Sequence, residues 1–220
     1  WQDSTMLELN QQTEYNTFRN KGRDWTPEQG FKKINVHLVY AVKHDGRHKA
    51  RLVAGGHPTG PPVESVYSSV VSLRGIRMIS FLAELNEMEL WSTDIGNAYL
   101  ESYTKEKVYI IAGPEFGEME GCKLIIQKAL YGLKSSGLRW HERFADVLRG
   151  MGFTPSKAEN DIWMRDKGDH YEYIAVYVDD LMIASKQAQK IIDELADKHK
   201  FQLKGTGAVS FHLGCDFFRD

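Results

Sequence analysis

Three aspartates carry the clearest chemical signal in this sequence. Asp179 and Asp180 are adjacent within the apolar stretch "YVDDLMIAS", and Asp94 follows the strand-like residues "LWST". Charges inside a buried strand are costly unless something compensates them. Asp is also a common turn residue for purely local reasons. A solvated turn between two core strands is therefore the alternative to a functional carboxylate pair.

The spacing of these carboxylates indicates a metal site at one edge of a sheet. Successive strand residues point to opposite faces, so Asp179 and Asp180 can approach one ligand only where the chain turns. Asp94 would otherwise be a cap for the following helix. Carboxylate oxygens are the ligands that Mg²⁺ prefers. Aspartates at two strand ends therefore favour a two-metal site for phosphoryl transfer.

The elements that must position these residues follow from hydrophobic periodicity and turn signals. The predicted strands cover 35–43, 49–54, 89–95, 108–112, 124–127, 172–178, 181–185, 201–203 and 210–213. The predicted helices cover 4–19, 73–88, 140–151 and 187–200. The Asp-Gly pair at 45–46 predicts a hairpin turn, and 55–62 predicts a loop. The order favours an α+β fold, with helices backing an antiparallel sheet and a separate hairpin near the amino end.

Composition sets broad limits on the class of protein. A chain of 220 residues with 42% hydrophobic residues can bury a core, as one large domain or two small ones. A net charge of −2 does not by itself indicate a nucleic-acid-binding protein, although it is compatible with a local basic groove. The two distant cysteines predict a reducing compartment. We find no membrane span or signal peptide. Because the chain begins at Trp1, we expect a piece of a longer protein.

The segment "YVDD", preceded by "TDIGNAYL", resembles the palm of reverse transcriptases. The blocks "HKARLVAGG", "KVYIIAGPEFG", "KALYGLKSSGLRWHERF" and "FHLG" are similar, in order and spacing, to those of copia-type LTR retrotransposon polymerases. The resemblance covers roughly Trp25 to Phe218. It implies an RNA-directed DNA polymerase core that extends a primer 3′-hydroxyl with dNTPs on an RNA or DNA template. It also implies an α+β right-hand polymerase with fingers and palm.

The same resemblance implies a domain layout and a setting. Residues 1–90 would be mainly fingers with an N-terminal extension, 91–112 palm, 113–140 the fingers/palm junction, and 141–220 palm. Nothing in the sequence matches the family's thumb, connection, RNase H, protease or integrase. The implied partners are the primed template, dNTPs, and the connection/RNase H region and integrase of the same polyprotein, with no membrane. The implied location is the cytoplasm, in virus-like particles, with a product destined for the nucleus.

The resemblance assigns the metal ligands and their ions. Asp94 and Asp179 would be the bridging ligands, and Asp180 would have a more peripheral role. Ile95 would contribute its carbonyl. The implied cofactors are two Mg²⁺ ions, for which Mn²⁺ can substitute.

The resemblance also implies a set of residues that bind the incoming dNTP, which begins with Ile95. The backbone amides of Gly96, Asn97, Ala98 and Tyr99 would lie near its phosphates. Tyr99 would lie under the sugar and exclude a 2′-hydroxyl; the alternative is an ordinary core aromatic.

Two further segments complete the expected nucleotide site. Lys49 and Arg51 alternate on one face of a strand, where cations can grip phosphates. The register leaves open which of them does so, and a solvated strand face is the alternative. In "LYGLKSS", Gly132 would let the backbone approach the base or template, and Lys134 could meet phosphate. The family more often has Gln-Ala after this lysine, where this chain has two serines.

Two other functions compete with polymerisation. Another palm-based enzyme, such as a nucleotide cyclase or primase, shares the carboxylates but gives no reason for the order of Lys49, Arg51, Tyr99 and Gly132. An inactive or co-opted retroelement fragment would bind nucleic acid without catalysis. The presence of Asp94, Asp179 and Asp180 argues against decay at the metal site.

Overall fold

The structure is a computed structural model that describes residues 1–43, 46–55, 66 and 68–219. The predicted turn residue Asp45 and the predicted loop from 56 onwards lie outside the described residues. The fold is α+β, as the sequence predicts. The chain forms two compact units, one of Trp1–Tyr67 with Tyr99–Trp140 and one of Ser68–Ala98 with His141–Asp220.

Along the chain, helices separate runs of one to four strands. The helices are α1 Gln2–Glu14, α2 Leu73–Leu85, α3 Ser136–Gly150 and α4 Ala188–Asp193, with 3₁₀ segments at Ala98–Glu101 and Pro114–Met119 and a π-helical segment at Glu194–Lys198. The strands are β1 Phe18–Asn20, β2 Lys32–Lys33, β3 Val36–Val42, β4 His48–Ala54, β5 Glu89–Ile95, β6 Val108–Ile111, β7 Lys123–Ile126, β8 Thr154–Pro155, β9 Ile162–Asp166, β10 Tyr171–Tyr177, β11 Asp180–Ser185, β12 Leu203–Ala208, β13 Phe211–His212 and β14 Cys215–Asp216. None of the described helices has the length and apolar character needed to cross a membrane.

The first unit contains a four-stranded sheet and a separate hairpin. The sheet has the order β1-β7-β6-β2, with β2 parallel to β6 and the other pairs antiparallel. Its inward residues pack with two leucines that follow β7, and this core removes apolar surface from water: Val108, Ile110, Leu124 and Ile126 from the sheet, with Leu130 and Leu133. Strands β3 and β4 pair only with each other among the described residues. The predicted amino-terminal hairpin is thereby confirmed.

The second unit is built on a six-stranded antiparallel sheet of order β12-β5-β11-β10-β9-β8. Helix α2 begins after Ser72, whose hydroxyl accepts the Gly75 N–H at 3.1 Å as an N-cap. Its apolar side, including Ile76 and Ile79, packs in one core cluster with Met182 and Ala184 of β11. The strands that carry the aspartates are therefore fixed in the middle of a packed sheet.

Several predicted boundaries differ from the structure. The expected helix 4–19 ends at Glu14, because Asn16 adopts a positive φ of 52° and the chain enters β1. In place of the expected strand 201–203, the structure has β12, which covers Leu203–Ala208. The glycines of β12 argue against a strand in the sequence, but they fit the bulge between Lys204 and Gly207. Strand β9 was not predicted, since both Ile162 and Trp163 are buried and no alternation is visible.

The compact units also differ from the predicted domain layout. Residues 68–90, expected with the fingers, belong to the unit of β10 and β11. Residues 99–112, expected with the palm, belong to the other unit. The physical reason for the first difference is that α2 buries its apolar side in a core shared with β11. The naming of the units as fingers and palm remains a prediction.

Candidate active site

Asp94 and Asp180 lie opposite each other on neighbouring strands. Asp94 is the second-last residue of β5, and Asp180 is the first residue of β11, directly across from it in the antiparallel register. Directly opposed residues project to the same face of a sheet and have neighbouring Cβ atoms. The sheet therefore sets two carboxylates side by side.

Asp179 lies in a tight turn beside this pair. Tyr177 pairs with Asp180, so the two turn residues are Val178 and Asp179, not the two aspartates as expected. Asp180 is a strand residue and not a turn residue because it also pairs with Asp94 of β5. The backbone carbonyl of Asp179 accepts the Ile95 N–H at 2.8 Å, which fixes the turn to the end of β5.

Val178 has a positive φ of 57°, whereas Asp179 does not. A positive φ at the first of two turn residues is the pattern of a type II′ hairpin turn, which favours glycine there. A β-branched residue in this region is strained, and such strain is concentrated at functional sites. The turn that presents Asp179 is thus held in place by the sheet around it.

The pKa of Asp180 shows how the three aspartates affect one another. Burial raises the pKa of Asp180 to about 6, and the neighbouring charges of Asp179 and Asp94 add to this increase. All of these effects disfavour the ionised form. The three carboxylates therefore interact, and a cation placed among them would relieve both their repulsion and the cost of burial.

The donor set suits a hard divalent cation. Among the described residues, no group of three or more His, Cys, Asp or Glu side chains encloses a metal position by itself. Mg²⁺ usually takes one or two carboxylates and completes its shell with water and substrate phosphates. Asp94, Asp179 and Asp180 would supply carboxylate oxygens and leave coordination positions for water and phosphate, as Mg²⁺ requires.

Lys204 extends the row of charges to a third strand and was missed from the sequence. It lies opposite Asp94 in the pairing of β12 with β5. A Cβ on Gly96 would be 3.0 Å from the Lys204 Nζ, so the lysine packs against the Gly96 backbone. The Gly96 N–H donates to the Gln202 carbonyl at 2.7 Å. This amide is engaged within the sheet, and the expected phosphate contact stays a prediction for Asn97, Ala98 and Tyr99.

A cavity of about 370 Å³ opens beside the carboxylates. Its lining includes Asp94, Asp180 and Lys204, together with the β13–β14 hairpin residues Phe211, His212, Leu213 and Gly214. Phe211 is 61% exposed, while burial lowers the pKa of His212. These four hairpin residues form one wall of the cavity and are the sequence block "FHLG". The block was noted in the sequence, although no role was predicted for its residues.

The first unit brings together other predicted residues. Lys49 and Arg51 lie on the partly exposed face of β4, as predicted, while Ala50 and Leu52 are buried on the other. The Arg51 guanidinium lies over the Tyr131 ring at 5.2 Å, a cation–π distance. Its Nε is buried without a hydrogen-bond partner.

Tyr131 links Arg51 to Tyr99 and was also missed from the sequence. Its ring centroid is 4.8 Å from that of Tyr99. The Tyr131 carbonyl accepts the Ala54 N–H at 2.6 Å, which ties this turn to the end of β4. Its only sequence signal was a place in "LYGLK".

Gly132 follows with a φ of +90°, and a Cβ there would collide with the Ala54 carbonyl. A glycine is needed by both criteria. The structure therefore groups Arg51, Tyr99 and Gly132 around Tyr131.

The residues after Gly132 take different roles. The Lys134 side chain is exposed. Ser135 donates to Glu106 Oε1 through its hydroxyl at 2.7 Å, and Ser136 donates to the Leu130 carbonyl at 2.6 Å. The two serines that depart from the family pattern thus make structural hydrogen bonds at the start of α3. The roles of all these residues in binding remain predictions.

Solved structures and curated proteins with similar features include reverse transcriptases and transposon polyproteins. One solved chain, a foamy viral protease-reverse transcriptase in complex with double-stranded DNA, matches with a TM-score of 0.52 and 16% identity. The match covers 95% of this chain and 32% of that one. At this identity the likeness shows the fold alone. It supports the α+β polymerase architecture.

The similar curated proteins are longer polyproteins. The retrovirus-related Pol polyprotein from transposon TNT 1-94 of Nicotiana tabacum is 28% identical over 87% of this chain. That from transposon RE1 of Arabidopsis thaliana is 28% identical over 77%. The Ty1-BL Gag-Pol polyprotein of Saccharomyces cerevisiae is 30% identical over 79%. The matches span only 15%, 12% and 10% of these proteins, respectively.

The family described as "Reverse transcriptase (RNA-dependent DNA polymerase)" matches residues 26–220, which include the aspartates, Lys204 and the Arg51–Tyr131–Tyr99 group. The relatives place it beside LTR retrotransposon polyproteins. This chain belongs to the reverse transcriptase family of LTR retrotransposons.

Proposed function

We propose that this chain is the core of an RNA-directed DNA polymerase. It would join a primer 3′-hydroxyl to the α-phosphate of a dNTP, directed by an RNA or DNA template. The observation that carries the proposal is the opposed pair Asp94 and Asp180 beside the turn of Asp179. A phosphoryl-transfer site needs such an open group of carboxylates where substrate phosphates complete the cation shell.

Reverse transcriptases use divalent metal ions. In this chain Asp94, Asp179 and Asp180 would hold two Mg²⁺ ions, with Mn²⁺ as a substitute and the Ile95 carbonyl as a further ligand. When bound, the ions would lower the pKa of the primer hydroxyl and offset charge on the triphosphate and leaving pyrophosphate. Because the pKa of Asp180 is raised to about 6, this carboxyl takes up a proton readily when no cation is near.

The cavity beside the carboxylates suits the primer end. Phe211 offers an exposed apolar surface for a sugar or base, and Lys204 offers a cation next to Asp94. We assign the primer terminus to this wall. The solved foamy viral protein is in complex with double-stranded DNA, which supports a nucleic-acid partner here.

We assign the incoming dNTP to the residues grouped around Tyr131. Arg51 would bind the triphosphate, with Lys49 on the same strand face and Lys134 as a further cation. Tyr99 would pack against the sugar and exclude a 2′-hydroxyl. Gly132, which lacks a Cβ, would let the backbone approach the base. In this proposal the unit of β3 and β4 is the fingers and the unit of β10 and β11 is the palm.

The proposal extends to the setting of the protein. The relatives are Pol polyproteins of which the matches span 10–15%. We therefore propose that this core works with a connection/RNase H region and an integrase. It would act in cytoplasmic virus-like particles, with a DNA product destined for the nucleus.

A primer-extension assay with Asp179→Asn tests the proposal. With an RNA template, a DNA primer, dNTPs and Mg²⁺, the parent should extend the primer. The variant should be slower by about three orders of magnitude, the equivalent of about 4 kcal/mol of lost transition-state stabilisation. Asp197→Asn, which neutralises an exposed aspartate of the same unit, is the matched control and should keep full activity.

Template binding separates the remaining outcomes. Both variants should bind the primed template as tightly as the parent does. Equal extension by the parent and Asp179→Asn would refute the assignment of the site. Salt-sensitive template binding without extension by the parent would instead support a fragment that binds nucleic acid without catalysis.

A further inference from the structure

Helix α1 precedes the part of the chain that the family matches, residues 26–220. It packs on the β3–β4 hairpin at several points along its length. At its start, the Trp1 ring stacks on His48 at 4.1 Å and meets the Tyr40 ring edge-on at 5.2 Å. One turn later, Thr5 Oγ1 and Tyr40 Oη are 3.0 Å apart. The helix thus follows the hairpin.

The register shows which face of the hairpin α1 covers. His48, Ala50 and Leu52 alternate along β4 and share one face. Tyr40 is opposite Ala50, so it projects to that face as well. Lys49 and Arg51 project to the other face. The start of α1 therefore lies on the face of the hairpin opposite the two cations.

Glu8 makes the central contact between the helix and the strand. Its side chain is buried, and Oε1 accepts the Leu52 backbone N–H at 2.9 Å. The same oxygen accepts Gln12 Nε2 at 2.8 Å, which fixes the carboxylate from its own helix. Strand β4 has one strand neighbour among the described residues, so an amide on its other edge needs an acceptor from elsewhere. Glu8 provides it.

This contact acts on the residue next to Arg51. A two-stranded hairpin is marginally stable by itself and gains its geometry from what packs on it. Loss of the bond between Glu8 and Leu52 would free the middle of β4. Because Arg51 is adjacent to Leu52, its guanidinium would lose its fixed position on the opposite face.

We propose that α1 is a positioning element for triphosphate binding, with Glu8 as its key residue. Glu8 holds β4 at its free edge so that Arg51 and Lys49 present a fixed cationic face to the incoming nucleotide. Glu8 touches no substrate and is a positioning residue, not a catalytic one. The inference rests on the proposed function, because it takes the triphosphate as the ligand of that face.

Two measurements on the full chain test this role. The first is amide hydrogen exchange at Leu52. The second is the Kd for dTTP on a template–primer that ends in a dideoxynucleotide, which needs no chemical step. Glu8→Ala should raise both the Leu52 exchange rate and the dTTP Kd about tenfold, as expected for loss of one buried hydrogen bond. Its affinity for the template–primer should be unchanged.

Two variants control for charge and for general damage to the helix. Glu8→Gln keeps an oxygen that can accept the Leu52 N–H, so it should restore both values to within about threefold of the parent. Glu14→Ala removes an exposed glutamate from the same helix and should change neither value. If Glu8→Ala fails to fold, Thr5→Val removes only the contact with Tyr40. It should then raise both values about twofold.

Each outcome decides the question. Unchanged Leu52 exchange in Glu8→Ala would overturn the proposal. Faster exchange with an unchanged dTTP Kd would overturn it too, since the helix would then be merely structural. A parent that extends no primer would refute the proposed function, while the exchange and binding comparisons would still decide the role of Glu8. A parent that binds no dTTP would overturn both.

Discussion

The two hairpins that carry the candidate functional residues differ in what supports them. The β10–β11 hairpin lies inside a six-stranded sheet, flanked by β9 and β5, and residues 181–185 of β11 are all buried. The β3–β4 hairpin is a sheet of its own, and residues 39–42 of β3 are exposed. The first is held by strand neighbours and core packing. The second depends on a helix behind it and on a turn at its end.

The ends away from the tips are also anchored differently. Glu172 of β10 accepts Arg165 Nε at 2.8 Å and the Ser185 hydroxyl at 2.7 Å, and it is buried. This charged network joins β9, β10 and β11. At the end of β4, the Ala54 N–H donates to the Tyr131 carbonyl beside Gly132. One hairpin is anchored by a buried carboxylate that bonds two side chains, the other by a backbone hydrogen bond and close backbone packing.

The difference shows where strain and charge repulsion can be accommodated. The tip of β10–β11 contains a valine with positive φ and an aspartate whose pKa is raised by burial and by its neighbours. Both features destabilise the fold, and both persist because the surrounding sheet fixes the backbone. Among the described residues, no further strand pairs with β3 or β4. The buried Glu8 of α1 stabilises β4 by completing a hydrogen bond.

The largest expected effect follows from removing the anchor of β10–β11. Glu172→Ala leaves Arg165 and Ser185 without their buried acceptor. We expect the free energy of unfolding to fall by about 3–5 kcal/mol, the usual result of breaking a buried pair. Urea unfolding measures this change. Glu8→Ala, by contrast, should act mainly on the β3–β4 hairpin.

Glu194 is the matched control for this variant. It also contacts Arg165, at 3.4 Å, but its side chain is 26% exposed. Glu194→Ala should therefore cost no more than about 1 kcal/mol, as for partly exposed ion pairs. Equal losses for the two variants would mean that burial does not set the strength of this anchor.

A smaller effect should come from the burial of Asp180 and its repulsion by Asp179 and Asp94. The pKa of Asp180 is raised from 3.8 to about 6, so the folded protein binds this proton more tightly than the unfolded chain does. The resulting stability is fully present below pH 3.8 and is lost as the pH rises through about 6. Asp180→Asn removes the penalty. Without metal, the variant should match the parent at pH 3. At pH 7.5 it should be more stable by about 2 kcal/mol, because solvent screening of this partly exposed carboxyl reduces the roughly 3 kcal/mol that the full pKa shift represents.

Urea unfolding at the two pH values, in the presence of a chelator, measures this difference. Mg²⁺ should narrow the difference at pH 7.5, because it stabilises only the parent with its intact carboxylates. Asp197→Asn, at an exposed position, should follow the parent at both pH values. A stability difference that does not change with pH would contradict the pKa increase that burial and the neighbouring carboxylates give Asp180.

The sequence predicted the parts of the fold that have a clear hydrophobic period. Helix α2 and strands β5 and β10 lie close to their expected positions. Strand β9 could not be recognised, because burial on both faces removes the alternation that marks a strand. Strand β12 contains Gly205 and Gly207, which favour a loop until β5 supplies a partner.

In the candidate site, too, the sequence did not reveal residues whose roles depend on contacts with distant parts of the chain. The aspartates were found because adjacent charges in an apolar run are unusual. Lys204 was missed because its meaning comes from the register of β12 against β5. Tyr131 was missed because its contacts with Arg51 and Tyr99 join distant parts of the chain. Glu8 looked like an ordinary helix glutamate until the structure showed Leu52 beside it.

The smallest expected effect concerns the strained residue at the tip. Val178→Gly should remove about 1–3 kcal/mol of backbone strain and lose about 0.5–1 kcal/mol to the extra freedom of the unfolded chain. We therefore expect a net stabilisation of about 1 kcal/mol in urea unfolding at pH 7.5 without metal. Val39→Gly places the same substitution at a 43% exposed position in β3, where it should instead destabilise by about 1 kcal/mol. Opposite signs for the two variants would show that strain is confined to the supported hairpin. A loss of stability in both would mean that the sheet does not hold Val178 under strain.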